Sequence, residues 1–497
     1  MSDTFKRRSR SMIMLRNLRT SSFLINRRLL LAAAILALMT SLTVPAVTRL
    51  LAWSELAMLM AVSVALILVV QVFARPVATN PELLMWRVGL ILWSFLLSSE
   101  QFFLRPMASA SEALGSNFAG AAYAEAGTWL VCAFVILLVM VRGDSSFPSL
   151  WSGNFRFVWL FVAWSFVSSF YSPARLLAFA WLFKLTLAVL VLQMCSSGIR
   201  NRENIRTFLL ATFWGFALLT LLPVFHGIVT GQQAFAEDGR LNYFDHPVHG
   251  SQWAGITLLL ALIVFEHRTK LASFWVAAMA IIMVASGGKA GMLAAAICAT
   301  ILFVLRRNAR RALLLVLGLS LIAWIVFSYT PVSRYMEDYS DSGAATSLTG
   351  RTDLWRAAMP MIMQSPILGH GYMSSRFVSE SNDLDDFNWA PSQMHNSFLE
   401  IAYTGGVIGL ILLLSLHYQV ARQLWAAVKS GEVLAAAFVL YVDVVLQSWV
   451  EGSVAGKASD NFLVLVGLVM ISEKVVHFEK PADRPHCLRA GELARVS

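Results

Sequence analysis

The sequence predicts an all-α integral membrane protein with about 12 to 14 transmembrane helices and one large loop outside the membrane containing short helices. Three observations predict it. Of 497 residues, 58% are hydrophobic and 14% charged, more apolar than a soluble core requires. The apolar residues gather in runs of about 16 to 24, the helical length that crosses ~30 Å of hydrocarbon. The runs are continuous rather than alternating, which argues against a spanning β-barrel.

Fourteen runs meet this description: 29–48, 52–73, 83–104, 126–141, 156–171, 174–195, 207–229, 249–266, 271–287, 290–305, 312–330, 397–418, 432–450 and 459–473. The Trp/Phe-rich run 156–171 and the last run are short and also fit re-entrant or interfacial segments. The chain therefore divides into a basic tail (1–28), a first membrane block (29–330), a loop (331–396), a second membrane block (397–473) and a C-terminal tail (474–497).

Cytoplasmic loops collect Lys and Arg. With fourteen spans and the N-terminus inside, the inside loops, tails and their flanks hold 28 of the 39 basic residues, the outside ones 10, and Lys184 falls within a span. Both termini are accordingly expected in the cytoplasm, with the long loop on the opposite face. The formal charge of +10 is then mostly topology, and no nucleic-acid partner is indicated. The first 28 residues carry eight Lys/Arg, no acid after Asp3 and no clear cleavage motif beyond, the pattern of a start-transfer anchor. The four cysteines stand singly, with no disulfide framework.

The loop 331–396 is too aromatic and apolar for disorder, and long ordered loops are usually functional. Within it the sequence predicts a helix from Thr349 to about Met359, with Thr349 as cap, Asp353 in the first turn and Pro360 as the stop. Leu354, Trp355 and Ala358 fall on one face, suited to the membrane surface or to covering a cavity.

Charge near membrane depth is costly and usually has a partner or a purpose. Four ionisable residues fall on the loop face by parity: Arg240 in "GRLNYFDHPVHG", Lys289 in the tight hairpin "ASGGKAGM", Arg351 in "TGRTDLW", and His395 at the start of the twelfth span. Singly, each has an ordinary explanation as an interfacial anchor, a snorkelling lysine, a partner of Asp353 or a helix-start histidine. Together they form a candidate site. "GGK" is not a phosphate loop, because the upstream Gly is missing and Ala290 replaces Ser/Thr. His246 and His249 are separated by Pro247 and a single further residue and have no evident third ligand, so neither a metal nor a cofactor is expected.

"LTGRTDLWRAAMPMIMQSPILGHGY" followed by "HNSFLEIAYTGGVIGLILLL" resembles the signature region of the O-antigen ligase and Wzy-type polymerase superfamily of bacterial membrane glycosyltransferases. Arg351, Trp355, Pro366, Gly369, Gly371, His395, Asn396, Gly406 and Gly409 carry the resemblance. "GRLNYFDHPVHGSQWAG" resembles the family's upstream region with departures: Val248 stands where Asn is usual, and Tyr243 where Gly is common. Lys289 occupies a hairpin where relatives usually carry Arg.

The resemblance implies transfer of a glycan from undecaprenyl diphosphate to an acceptor hydroxyl, on the periplasmic face of the bacterial inner membrane. A diphosphate is already a competent leaving group, so the protein must supply positive charge for it and a base for the hydroxyl. Arg351, Arg240 and Lys289 are the candidate diphosphate ligands, and His395 the candidate base beside Arg351. Asn396, Glu400, Trp355 and Tyr372 are supporting candidates, Tyr372 by stacking on a sugar and Glu400 by orienting a partner group. The wording of the motifs favours a polymerase of exopolysaccharide repeat units, with a chain-length regulator as candidate partner. Ligation to lipid A core is the alternative. A lipid-linked glycan flippase is the alternative from another class, for which mid-span charges are few.

Overall fold

The computed structural model describes residues 81–103, 120–142, 151, 153–229, 231–237, 239–244, 247–333, 351–377, 393–450 and 460–479. The basic tail, the first two expected spans, the Thr349 cap, His246 and the end of the C-terminal tail lie outside them. Thirteen α-helices fall within the described residues: α1 Pro81–Phe103, α2 Gly120–Arg142, α3 Phe155–Ser169, α4 Arg175–Gly198, α5 Arg202–Val229, α6 Pro247–Val264, α7 Thr269–Ala285, α8 Lys289–Leu305, α9 Ala309–Tyr329, α10 Arg351–Gln364, α11 Ser397–Ala427, α12 Glu432–Val450 and α13 Asp460–Glu479. The described residues contain no strand beyond one antiparallel bridge, Phe235 with Leu241.

The protein is thus an all-α membrane bundle. Arg175–Gly198, Arg202–Val229, Ser397–Ser430 and Glu432–Val450 are each long and apolar enough to cross a membrane, and shorter apolar helices pack among them. A helix stands at every expected span from 83–104 onward. The 15 residues of α3 extend only about 22 Å, whereas α13 runs to Glu479, past the expected end. Small residues let the helices approach closely. At the α6–α8 contact a Cβ on Gly291 would lie 2.9 Å from the Ser251 hydroxyl, and that hydroxyl donates to the Gly288 carbonyl at 2.7 Å.

One expectation is corrected. Pro360 does not end the loop helix, which runs on to Gln364. Proline removes one intrahelical N–H. Pro360 and Arg356, whose carbonyl would have accepted that bond, both lie on the exposed side, so no buried acceptor is left wanting. Leu354, Ala358, Met361 and Ile362 form the buried face, and the last three pack with Met394 and Tyr403.

A break in α11 positions the site. Gly406 adopts φ +61°, ψ −164° inside the helix. The segment 366–371 threads into this break and replaces the missing helical bonds. His370 N–H donates to the Tyr403 carbonyl at 2.8 Å and Gly371 N–H to Thr404 at 2.9 Å, while Val407 N–H donates to Pro366 at 2.8 Å. The Trp164 indole, from α3, donates to the Gly405 carbonyl at 2.9 Å. Non-helical backbone at such depth is tolerated only where the protein satisfies its polar groups. The tongue 366–371 does so and fixes the outer turns of α11.

Candidate active site

The site is built around the turn that enters α11. Asn396 is its N-cap: the side-chain oxygen accepts from Phe398 N–H at 3.0 Å and Leu399 N–H at 3.1 Å. Its amide nitrogen donates to the Trp449 carbonyl at 3.1 Å, tying α11 to the last turn of α12. One residue earlier, half-buried His395 sits at φ +47°, a left-handed conformation that non-glycine residues seldom adopt. Such strain persists only where the surroundings over-determine it, and it clusters at functional sites.

Those surroundings are the peptide of Met394, which is wholly buried. Its N–H donates to Glu400 Oε2 at 2.7 Å, and its carbonyl accepts from Trp355 Nε1 at 2.8 Å. The other Glu400 oxygen accepts from the Ser375 hydroxyl, in the short 3₁₀ turn Ser374–Phe377. Arg351, the first residue of α10, lies one helical turn before Trp355 and shares its face. The loop helix that begins at Arg351 is therefore tied, through Trp355, to the residue before His395.

Arg240 and Lys289 form a second arm. Arg240 lies in a tight turn closed by Ala236 N–H to the Arg240 carbonyl at 2.8 Å, with Gly239 at φ +83°. A Cβ on Gly239 would fall 2.2 Å from the Pro331 carbonyl oxygen, so the end of α9 presses directly on this turn. Leu241 N–H donates to the Ala285 carbonyl at 2.9 Å, which docks the turn at the α7–α8 hairpin. Tyr243 is accommodated because its ring covers Gly227, where a Cβ would stand 2.1 Å from a ring carbon. Lys289 is at the tip of the hairpin, outside the apolar run 290–305. Burial first, then the nearby Arg240 guanidinium, pull its ammonium pKa down to about 8. Gly288 caps α8 in an extended conformation with no side-chain bond, so the first N–H groups of α8 add to a positive end.

The two arms meet across α12, which packs on α8 and on α11. Lys289 opens α8, and the last turn of α12 ends at Val450. Trp449, in that last turn, accepts from Asn396. Asn396 and the adjoining His395 thus stand at this end of α12, and the parity of the spans expects Lys289, Arg240 and Arg351 on the same face.

Tyr372 does not join them. Its ring is buried (3% exposed) among Phe161, Trp164 and Ile401, and its backbone carbonyl accepts from Ser172 at 2.7 Å. It is a packing residue beneath the tongue, and burial pushes its phenol well up. Ser375 and Trp449 carried no motif signal. A serine in a loop and a backbone carbonyl at a helix end become parts of a site only once the chain is folded.

Residues 272–414 match the family model described as O-antigen ligase, a range that holds Lys289, Arg351, Trp355, His395, Asn396 and Glu400. This match and the relatives below support the O-antigen ligase/Wzy superfamily. Superfamily relatives include a Rickettsia felis protein provisionally named a polysaccharide ligase, 26% identical over 306 residues, covering 57% of this chain and 72% of the relative. A Rickettsia conorii protein with the same provisional naming is 31% identical over 133 residues, 25% of this chain and 32% of the relative. The O-antigen ligase of Pseudomonas aeruginosa is 28% identical over 158 residues, 31% of this chain and 35% of that protein.

Proposed function

We propose that this protein is a bacterial inner-membrane glycosyltransferase that moves a glycan from undecaprenyl diphosphate to an acceptor hydroxyl on the periplasmic face. What supports the reading is that the base candidate adjoins the Asn396 tie to the end of α12, that α12 packs on the helix Lys289 opens, and that span parity puts all four residues on one face, as a single substrate with a hydroxyl at one side and a diphosphate at the other requires. His395 takes the proton of the acceptor hydroxyl as its oxygen bonds to the anomeric carbon. The bond from that carbon to the diphosphate oxygen breaks, and the diphosphate leaves with the electron pair. Arg351 engages it as a fork, Lys289 as a point charge, and Arg240 completes the positive field. Catalysis on one face argues against a flippase, which needs a route between faces.

The acceptor separates two readings. The motif wording supports polymerisation of exopolysaccharide repeat units, with a chain-length regulator as partner. The names of the relatives, a polysaccharide ligase and an O-antigen ligase, support ligation. His395→Ala and Arg351→Ala, checked for membrane insertion, test both by the size of the surface polysaccharide and its carriers. Loss of long chains with accumulation of single lipid-linked repeats supports the polymerase. Full-length polymer left on its carrier with bare lipid A core supports the ligase. Unchanged glycans in both variants overturn the assignment.

A further inference from the structure

Glu400 is buried (1% exposed) in the first turn of α11. One carboxylate oxygen receives Met394 N–H and the other the Ser375 hydroxyl. Resting on the transferase reading above, we infer that Glu400 is a positioning residue. It locks the peptide preceding His395 and latches the 374–377 turn to α11, so that the imidazole is held in its left-handed conformation facing the acceptor. Ser375 is the second half of the latch. A carboxylate suits the place because the helix N-terminus favours negative charge, and because two oxygens are needed for two donors. Trp355 holds the carbonyl of the same residue, so the Met394 peptide is gripped at both its N–H and its C=O.

The latch acts through geometry and not through charge on the imidazole, and the two are separable. Glu400→Gln keeps an oxygen for Met394 N–H and offers its NH₂ group to the Ser375 oxygen, whereas Glu400→Ala keeps neither. The test uses the full chain in membranes with lipid-linked oligosaccharide extracted from the source cells. Glu400→Ala should lower kcat about 10²-fold with the donor KM unchanged, the scale of a displaced catalytic group. Glu400→Gln should recover most of that loss, and its acidic limb in the pH profile should stay in place. Ser375→Ala should fall between them. Hydrogen exchange of the 393–396 amides should rise in Glu400→Ala while α11 beyond Gly406 stays protected.

A Glu400→Gln variant as inactive as Glu400→Ala, or one whose acidic limb moves to lower pH, would show a direct charge partner and overturn the inference. Full activity in Glu400→Ala beside an inactive His395→Ala would overturn it too, leaving the transferase reading intact. Full activity in both would remove the transferase reading itself. If Glu400→Ala does not insert, the Gln and Ser375 variants still decide.

Discussion

The indole nitrogen of Trp355 donates to the carbonyl oxygen of Met394 across 2.8 Å, and this bond joins the helix that begins with Arg351 to the residue before His395. A cation and a base from segments more than 40 residues apart in sequence are thereby set in one frame. Trp355→Phe keeps most of the ring's packing and deletes the bond. It should cost about 1–3 kcal/mol in stability, because the buried Met394 carbonyl loses this donor. Glycan transfer should fall ~10- to 100-fold, because small displacements of a reacting group are amplified in rate. Initial rates with the lipid-linked donor, alongside melting curves in detergent, check both numbers. Wild-type rates in Trp355→Phe would mean that another contact sets Arg351 against His395.

Lys289 makes the site sensitive to alkaline pH. Its pKa of about 8 lies below the ordinary lysine value because burial and Arg240 disfavour the charged form. Proton release is therefore half complete near pH 8 in the empty site, and the diphosphate loses one cation as pH rises through that range. In stability the sign is opposite: the unfolded chain binds the proton more tightly between about pH 8 and 10, so folding is favoured as pH rises there. Undecaprenyl diphosphate binding should weaken above pH 8 in the wild type. In Lys289→Arg, whose guanidinium stays charged, the weakening should be absent. Isothermal titration from pH 6.5 to about 9.5 makes the comparison, and parallel curves for the two proteins would remove Lys289 from the anion site.

Much of this was legible in the sequence, for identifiable reasons. Helix positions followed from run length, because the bilayer imposes one length on every span. Arg351, Lys289 and His395 stood out because an ionisable group beside apolar spans has few innocent uses. Pro360 was misread as a stop because the cost of an interior proline depends on whether the orphaned carbonyl is exposed, which is a tertiary property. Tyr372 was offered to a sugar on the strength of its ring. Its buried place under the tongue depends on Ser172, 200 residues earlier. The threading of 366–371 into α11 was invisible for the same reason. The motif glycines can be read as backbone requirements, but their partners are chosen only by the fold.

Gly406 and Gly369 should be irreplaceable for one shared reason. A Cβ on Gly406 would stand 2.2 Å from the Ile367 carbonyl oxygen, and one on Gly369 2.5 Å from Gly406 N. Both residues also have positive φ, where an L side chain is strained. Gly406→Ala should lose at least ~1–3 kcal/mol from strain alone, with the clash in addition. Gly318 in α9 has no atom within 4 Å of its Cβ position, so Gly318→Ala should be neutral or slightly stabilising. Fluorescence-detected gel filtration after a heat step would rank the three. Survival of Gly406→Ala at the wild-type temperature would mean that the tongue can leave the break without unfolding the bundle.

Asn396 combines a cap and a tie, and substitutions can separate them. Its oxygen caps α11 through Phe398 and Leu399, while its NH₂ group reaches the Trp449 carbonyl. Asn396→Ser retains an acceptor for the cap but is too short for the tie. Asn396→Ala loses both, and the cap alone is worth about 1 kcal/mol. Asn396→Asp is the informative case. Aspartate caps as well as asparagine and suits the positive helix end, so as a cap it should be harmless. At this buried place its second oxygen would face the Trp449 carbonyl oxygen, leaving two acceptors opposed without a proton between them. Asn396→Asp should therefore melt below Asn396→Ser and transfer glycan more slowly, despite being the better cap. If Asn396→Asp matches the wild type in both measurements, Asn396 is only a cap, and the two arms of the site are not held together through the end of α12.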